Sequence, residues 1–267
     1  MNRDFIAKHW YAHVYEQAEC QTDDAEFFLQ VLHERFGDTA LNILEVACGG
    51  GRLTVPLARA GHSVTGFDTD EHMLLRCYAR SRGMANVRLF RADAVKDDWG
   101  EGFDLVLIAG NFLINIETDR DYEGAQKTLF DKAAAALKPG GFMLMDFDMS
   151  ANPAKIFNRL GEGFGFQGTD DLGTSGRIVV YGGVYNPVTR ICVGSNHLEL
   201  TANGGEAFVL PRLWHKHIPS QEQVWQWCQR AGFTVENAYK NFTGESVPVP
   251  LDDETRRVTL LARKWRT

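Results

Sequence analysis

Three glycines, Gly49 to Gly51, follow the apolar run 42–46, and Asp68 closes the next apolar run. Glycine lets a backbone approach a ligand closely, and a carboxylate at a strand end can accept hydrogen bonds from a ribose diol. Such charge-assisted bonds contribute about 1.5 to 3 kcal/mol each. The pair therefore reads as a nucleoside site, since a bare tight turn gives no reason for the acid. A dinucleotide site would want a third glycine in the pattern GxGxxG. That position holds Thr54 counted from Gly49, or Val55 counted from Gly50. The dinucleotide reading is weakened by this and stays open. No Gly-Lys-Ser/Thr follows, so the loop is not a Walker loop. A second group lies far along the chain. His215 and His217, spaced i, i+2, share one face of a regular strand. They are candidate general bases toward an acceptor, and equally polar strand-end residues. Their spacing also fits two metal ligands, but no third ligand is evident nearby and no metal is expected. Arg212 falls on the opposite face, either to bind a carboxylate or phosphate or as a solvated edge residue.

The elements that must position these groups follow from periodicity. Helices are expected over 4–16 and 24–36, the second with Phe27, Phe28, Val31 and Leu32 at helical spacing. Strands over 42–46, 63–67, 87–90, 103–108 and 142–147 alternate with helices over 53–60, 71–82 and 122–137. Gly61, Gly83 and the run KPGG at 138–141 serve as stops. Short connections between alternating strands and helices make parallel crossovers, hence a doubly wound α/β sheet with helices on both faces. From about 155 to 175 the chain turns glycine-rich and polar, and 177–217 alternates as three antiparallel strands. A helix from Pro219 and two more apolar strands complete the chain. The expected organisation is an N-terminal helical cap (1–38), an α/β core (39–150), an antiparallel β insertion serving as a lid over the substrate (151–218), and a C-terminal completion of the core (219–267).

The chain has 35 acidic and 28 basic residues, a net charge of -7, which argues against nucleic acid as the main partner. Its five cysteines, at 20, 48, 77, 192 and 228, form no CxxC. Reduced thiols in a cytoplasmic protein are the simplest expectation. No stretch has the apolar length of a signal peptide or membrane helix, so no membrane partner is expected.

The ordered stretches LEVACGGGRLTVPLARAGHSVTGFDTDEHML (44–74), RADAVKDDW (91–99), FDLVLIAGNFLIN (103–115) and LFDKAAAALKPGGFMLMDFD (129–148) together resemble the class I S-adenosylmethionine-dependent methyltransferases. The resemblance covers about residues 40–148. It implies a seven-stranded, mostly parallel, Rossmann-like sheet and S-adenosylmethionine as cofactor. It also implies roles. Glu45 would organise the loop and meet the methionine amino group. The backbone at Ala47, Gly49 and Gly51 would contact the methionine part. Asp68, with Thr69 beside it, would take the ribose hydroxyls. Asp93 and the Ala94 N–H would bond the adenine, Met73 would pack on its ring, and Asn111 would lie beside the sulfonium. Ala47 stands where that family most often has glycine; its small size is kept, so little consequence is expected.

The stretch HWYAHVY and the β insertion further resemble small-molecule methyltransferases, including amino-sugar and glycine-type N-methyltransferases. Tyr15 is the candidate catalytic residue there, beside His215 and His217. Tyr11, Tyr15, Phe112 and Trp214 are candidate aromatic lining for a sulfonium; Trp10 and Tyr15 read equally as helix packing. Methyl transfer is an in-line displacement, for which holding the nucleophile in place supplies about 7 to 11 kcal/mol. The expected reaction is transfer to a small-molecule acceptor, with amine nitrogen ahead of hydroxyl oxygen. The rivals are an NAD(P)-dependent oxidoreductase and a non-catalytic domain that binds the cofactor for regulation. Oligomeric state is open, a homodimer being compatible with this layout.

Overall fold

A computed structural model of the chain describes residues 2–18, 23–118, 121–158 and 161–266. They divide into two compact units, one of residues 22–152 with 217–267, the other of residues 1–21 with 153–216.

Two helices begin the chain, α1 (Arg3–Ala18) and α2 (Asp23–Phe36), and α2 opens the first unit. In this unit α2 is followed by β1 (Asn42–Val46), α3 (Thr54–Arg59), β2 (Ser63–Asp68), α4 (Glu71–Arg80), β3 (Val87–Arg91), β4 (Phe103–Ile108), α5 (Tyr122–Ala136) and β5 (Leu137–Asp148). Together with β10 (Phe233–Lys240) and β11 (Arg257–Lys264), the strands form one seven-stranded sheet in the order β10-β11-β5-β4-β1-β2-β3. The pairs among β1 to β5 are parallel, and β11 runs antiparallel to both of its neighbours. This is the mostly parallel, Rossmann-like sheet expected from the alternation of strands and helices.

Side-chain alternation shows both faces covered. In β4, Leu105 and Leu107 join a core with α2 residues Phe28, Val31 and Leu32 and α3 residue Leu57. Val106 and Ile108 point the other way, into a core with Leu129, Phe130 and Ala133 of α5 and Trp227 of α7 (Gln221–Arg230). A strand buried on both faces has no polar side to display, which is why FDLVLI is almost wholly apolar. Polar caps set the helix starts: Asp70 accepts the His72 and Met73 N–H groups at α4, and Ser220 and Gln223 cap α7 reciprocally. The run KPGG, expected to stop a helix, lies inside β5, with a register shift opposite Phe103/Leu105.

The second unit joins α1 to a four-stranded antiparallel sheet. Its elements are α6 (Pro153–Phe157), β6 (Glu162–Thr169), β7 (Ser175–Asn186), β8 (Ile191–Thr201) and β9 (Ala207–His217), the strands lying in the order β6-β7-β8-β9. Three strands were expected; the fourth, β6, comes from the stretch that looked merely glycine-rich. Trp10 of α1 is fully buried and donates its indole N–H to the Gly168 carbonyl of β6 at 3.1 Å. A Cβ at Gly168 would stand 3.0 Å from Val14 Cγ1, so glycine here admits the helix against the strand. The first 38 residues, expected as one cap, thus contribute α1 to this unit and α2 to the first. Cys48, Cys77, Cys192 and Cys228 are buried free thiols; Cys20 lies outside the described residues. Among the described residues no helix is long and apolar enough to cross a membrane.

Candidate active site

Strand order reverses between β1 and β4, and the crevice outside the carboxyl ends of such strands is where open α/β sheets hold ligands. The register brings the expected residues to one rung. Val46 pairs with Phe67 of β2 and with Ile108 of β4, so Ala47, Asp68 and Ala109 follow one step beyond. The loop after β1 bends through Ala47 (φ 55°), Gly49 (φ 52°) and Gly51 (φ 80°). Ala47 is therefore held left-handed, where a Cβ costs about 1 to 2 kcal/mol. Glycine suits this position for its backbone freedom, and matching its small size does not remove that cost. The glycines of the loop differ in use. A Cβ at Gly51 would lie 2.6 Å from Cys77 Sγ, whereas at Gly49 it would meet nothing within 4 Å. Gly51 packs the loop onto α4, and Gly49 presents open backbone.

Asp68 is tied to that loop. The Gly49 N–H donates to its Oδ2 at 2.9 Å, and the Asp70 N–H to its Oδ1 at 2.9 Å. Burial pushes its carboxyl up, opposed by these N–H bonds. Each oxygen keeps acceptor capacity beyond one bond. Glu45 is buried behind the loop, where the Thr54 hydroxyl donates to its Oε2 at 2.5 Å. Burial pushes Glu45 up to about 8, against the opposing Thr54 bond. After β3, Asp93 Oδ1 accepts the Val95 N–H at 2.8 Å and the Lys96 N–H at 3.1 Å. Burial pulls the Asp93 carboxyl up, but these bonds hold it below the usual range. Met73 and Ala94 are buried, and exposed Thr69 accepts the Arg91 side chain at its carbonyl, 3.0 Å away.

Residues 43–141 match the family described as "Methyltransferase domain". A protein of Geobacillus sp. (strain WCH70) that carries the name of a methyltransferase is 25% identical over 264 residues, 96% of this chain and 97% of its own. Residues 43–141 of the chain carry a methyltransferase domain. Two solved structures share the fold over nearly its whole length. One is an S-adenosylmethionine-dependent methyltransferase from Clostridium acetobutylicum ATCC 824, with TM-score 0.71 and 17% identity over 96% of this chain and 98% of that one. The other is S-adenosylmethionine-bound CalS10, an amino pentose methyltransferase from Micromonospora echinaspora, with TM-score 0.66 and 15% identity over 99% and 98%.

The methyltransferase domain overturns the oxidoreductase reading, and Thr54 gives the local reason. Where a dinucleotide fold would place its third glycine, this chain places a hydroxyl that fastens Glu45. The residues present fit S-adenosylmethionine: open backbone at Gly49, and a carboxylate at Asp68 with unspent lone pairs. When bound, that cofactor supplies an electrophilic methyl group on a positive sulfur.

Asn111, also left-handed (φ 63°), turns the chain after β4. Its amide donates to Asp148 Oδ2 at 2.6 Å while its Oδ1 accepts the Asp148 N–H at 2.8 Å. Sequence reasoning missed what holds this clasp. Asp146, fully buried, accepts the Gly110 N–H at 2.8 Å and the Arg257 Nε at 2.6 Å, and Arg257 Nη1 reaches Asp148 at 3.1 Å. Burial pushes Asp146 up to about 6, against the pull of Arg257. The available signal was two acids, i and i+2, at the end of an otherwise apolar strand.

The two histidines separate. His215 is exposed, whereas His217 is buried, with Nδ1 2.6 Å from Gln126 Oε1 and its ring tilted against Trp227. In the second unit, Tyr15 stacks on Tyr11 with ring centres 5.8 Å apart, and both meet Phe166 edge-on. Arg212 lies over the Tyr11 ring at 5.7 Å. Trp214 covers glycines of its own sheet: a Cβ at Gly194 or Gly183 would fall 2.1 or 2.9 Å from its ring.

Proposed function

We propose that this chain transfers the methyl group of S-adenosylmethionine to a small-molecule acceptor, at an amine rather than a hydroxyl. The observation that carries the choice is the charge collected at the strand ends. Among the described residues Asp68 accepts backbone N–H groups, and three carboxylates, Asp24, Asp146 and Asp148, share two arginines, Arg52 and Arg257. An excess of carboxylate favours a cationic donor and an acceptor that arrives as an ammonium ion. The likeness to CalS10, an amino pentose methyltransferase, points the same way. In this reading Glu45, Ala47, Gly49, Gly51, Asp68, Thr69, Met73, Asp93, Ala94 and Asn111 hold the cofactor. Tyr15, His215 and His217 serve the acceptor, so Tyr15→Phe and His215→Asn lower turnover while cofactor affinity is kept.

Calorimetry with S-adenosylhomocysteine tests the cofactor half. Micromolar binding is expected, weakened at least a hundredfold by Asp68→Ala, because two bonds of about 1.5 to 3 kcal/mol are lost. Methyl label then reads the acceptor across a panel of amines, alcohols and carboxylates, with label expected on amines. Label confined to alcohols refutes the amine choice. Binding without turnover on any of the panel makes the chain a regulatory cofactor-binding protein, and absence of binding overturns the reading altogether.

A further inference from the structure

The chain leaves β11 through Arg263, Lys264, Trp265 and Arg266, at the end of the sheet opposite the crevice. Against β5, Arg257 stands opposite Asp148 at the crevice end and Arg263 opposite Phe142, about 20 Å away at the rise of a strand. On its other side Arg263 pairs with Thr234 of β10, so these two side chains share a face. With Glu236, Lys264, Trp265 and Arg266 they line a recess of about 480 Å³. Positive charge gathers here in a chain whose net charge is -7. Lys138 takes Asp104 at 2.7 Å and Arg35 takes Glu236 at 3.1 Å, while Arg263 Nη1 lies 3.7 Å from that same Glu236. Arg263 Nε is buried and has no hydrogen-bond partner. A Cβ at Gly140 would stand 3.3 Å from Arg266 Nε and 3.8 Å from Arg263 Nη2, so two guanidinium groups stand over one glycine. Like charges held this close repel unless an anion lies between them.

We propose that this recess is a second ligand site, separate from the cofactor crevice, which takes a phosphate dianion, either free or as the phosphomonoester of a small molecule. The planar forks of Arg263 and Arg266 suit a tetrahedral oxyanion, and each bond they make to it is charge-assisted. Thr234 Oγ1 accepts the Trp265 indole N–H at 3.0 Å and keeps its own hydrogen to donate to an oxyanion. Lys264 Nζ donates to the Leu137 carbonyl at 2.6 Å and adds a further charge beside the recess. Glu236 serves Arg35 and stands beyond hydrogen-bond reach of Arg263, so it leaves the fork of Arg263 to another oxyanion. Trp265, 44% exposed, gives the rest of a phosphomonoester a flat wall to lie against. Nucleic acid would want basic groups in a row along a groove, whereas these gather in one recess of an acidic chain, which favours the small anion.

Nitrogen NMR of the arginine Nε–H groups reads the site without turnover. The signals of Arg263 and Arg266 are assigned by their loss in Arg263→Lys and Arg266→Lys. Inorganic phosphate, added at low salt, is expected to shift both to saturation with a Kd of about 1 mM or tighter, while chloride at the same ionic strength leaves them in place. Arg266 is exposed, so Arg266→Met keeps the fold, and it should weaken phosphate about tenfold or more. Ribose 5-phosphate binding more tightly than phosphate assigns the site to a phosphomonoester, and equal binding assigns it to the free ion. The affinity for S-adenosylhomocysteine, read by calorimetry, should be the same with and without saturating phosphate. Signals that follow ionic strength alone, or a phosphate Kd unchanged in Arg266→Met, overturn the proposal. So does competition between phosphate and S-adenosylhomocysteine, or a short single-stranded DNA that binds here more tightly than either small anion. Failure of S-adenosylhomocysteine to bind at all refutes the donor site instead, and the phosphate titration still decides the recess.

Discussion

Glu45 gives the most quantitative test of the loop. It is buried, and burial raises its carboxyl from 4.5 to about 8. Between those values the folded chain holds a proton that the unfolded chain has lost. The stabilising contribution is therefore full below about pH 4.5, falls by about 1.4 kcal/mol per pH unit, and is gone above about pH 8. Worked through the linkage relation, it drops by about 3.5 kcal/mol between pH 5 and pH 8. Glu45→Gln keeps the shape and can still accept the Thr54 hydroxyl, but it does not titrate. Urea unfolding of both proteins at pH 5, 6.5 and 8 isolates the effect, since groups remote from Glu45 cancel in the difference. The wild type should lose about 3.5 kcal/mol relative to the variant across that range. In the proposed site a methionine ammonium favours ionised Glu45. S-adenosylhomocysteine binding at pH 6.5 should then release close to one proton from the wild type and none from the variant, read by calorimetry in two buffers. A stability difference that is flat with pH would refute the burial argument.

Three further outcomes follow from the same geometry. Arg257→Met leaves Asp146 buried without its cation and should cost about 3 to 5 kcal/mol at pH 8 by urea unfolding, less at pH 5 where Asp146 takes up a proton. Gly51→Ala drives a Cβ to 2.6 Å from Cys77 at a φ of 80°, so it should lower stability by about 2 kcal/mol or more, and Cys77→Ala should recover part of the loss in the same assay. Ala47→Gly removes the left-handed penalty but frees the unfolded chain, and should leave the midpoint within about 1 kcal/mol of wild type or raise it.

The parallel sheet was legible because its strands and helices carry their own periods and stops, and so were the places of the candidate cofactor residues, which lie within a few positions of those strand ends. β6 was not. Its sequence, EGFGFQGT, is poor in branched residues and reads as loop, since glycine weakens a strand. What makes it a strand is non-local: pairing with β7 and the indole of Trp10 on the Gly168 carbonyl. The difference in burial between His215 and His217 was hidden for a related reason. Strand alternation puts them on one face but does not say where that face ends, and the buried partner of His217 comes from a helix 91 residues away.

Such long-range partners still leave a local trace. Gln126 falls in register with Leu129, Phe130 and Ala133 on a helix face that is otherwise apolar, and Asp146 interrupts the apolar run of β5. Leaving a buried amide or carboxylate unpaired costs more than most single packing defects, so each such residue implies a partner from elsewhere in the chain. For Asp146 the partner must be cationic, and it is Arg257, 111 residues on. For Gln126, which offers two donors and an acceptor, the partner must combine carbonyls with a donor. A histidine whose backbone and ring both face the glutamine meets that demand. The polar interruptions of apolar stripes thus point to the long-range pairs that tie this domain together, Asp146 with Arg257 and Gln126 with His217.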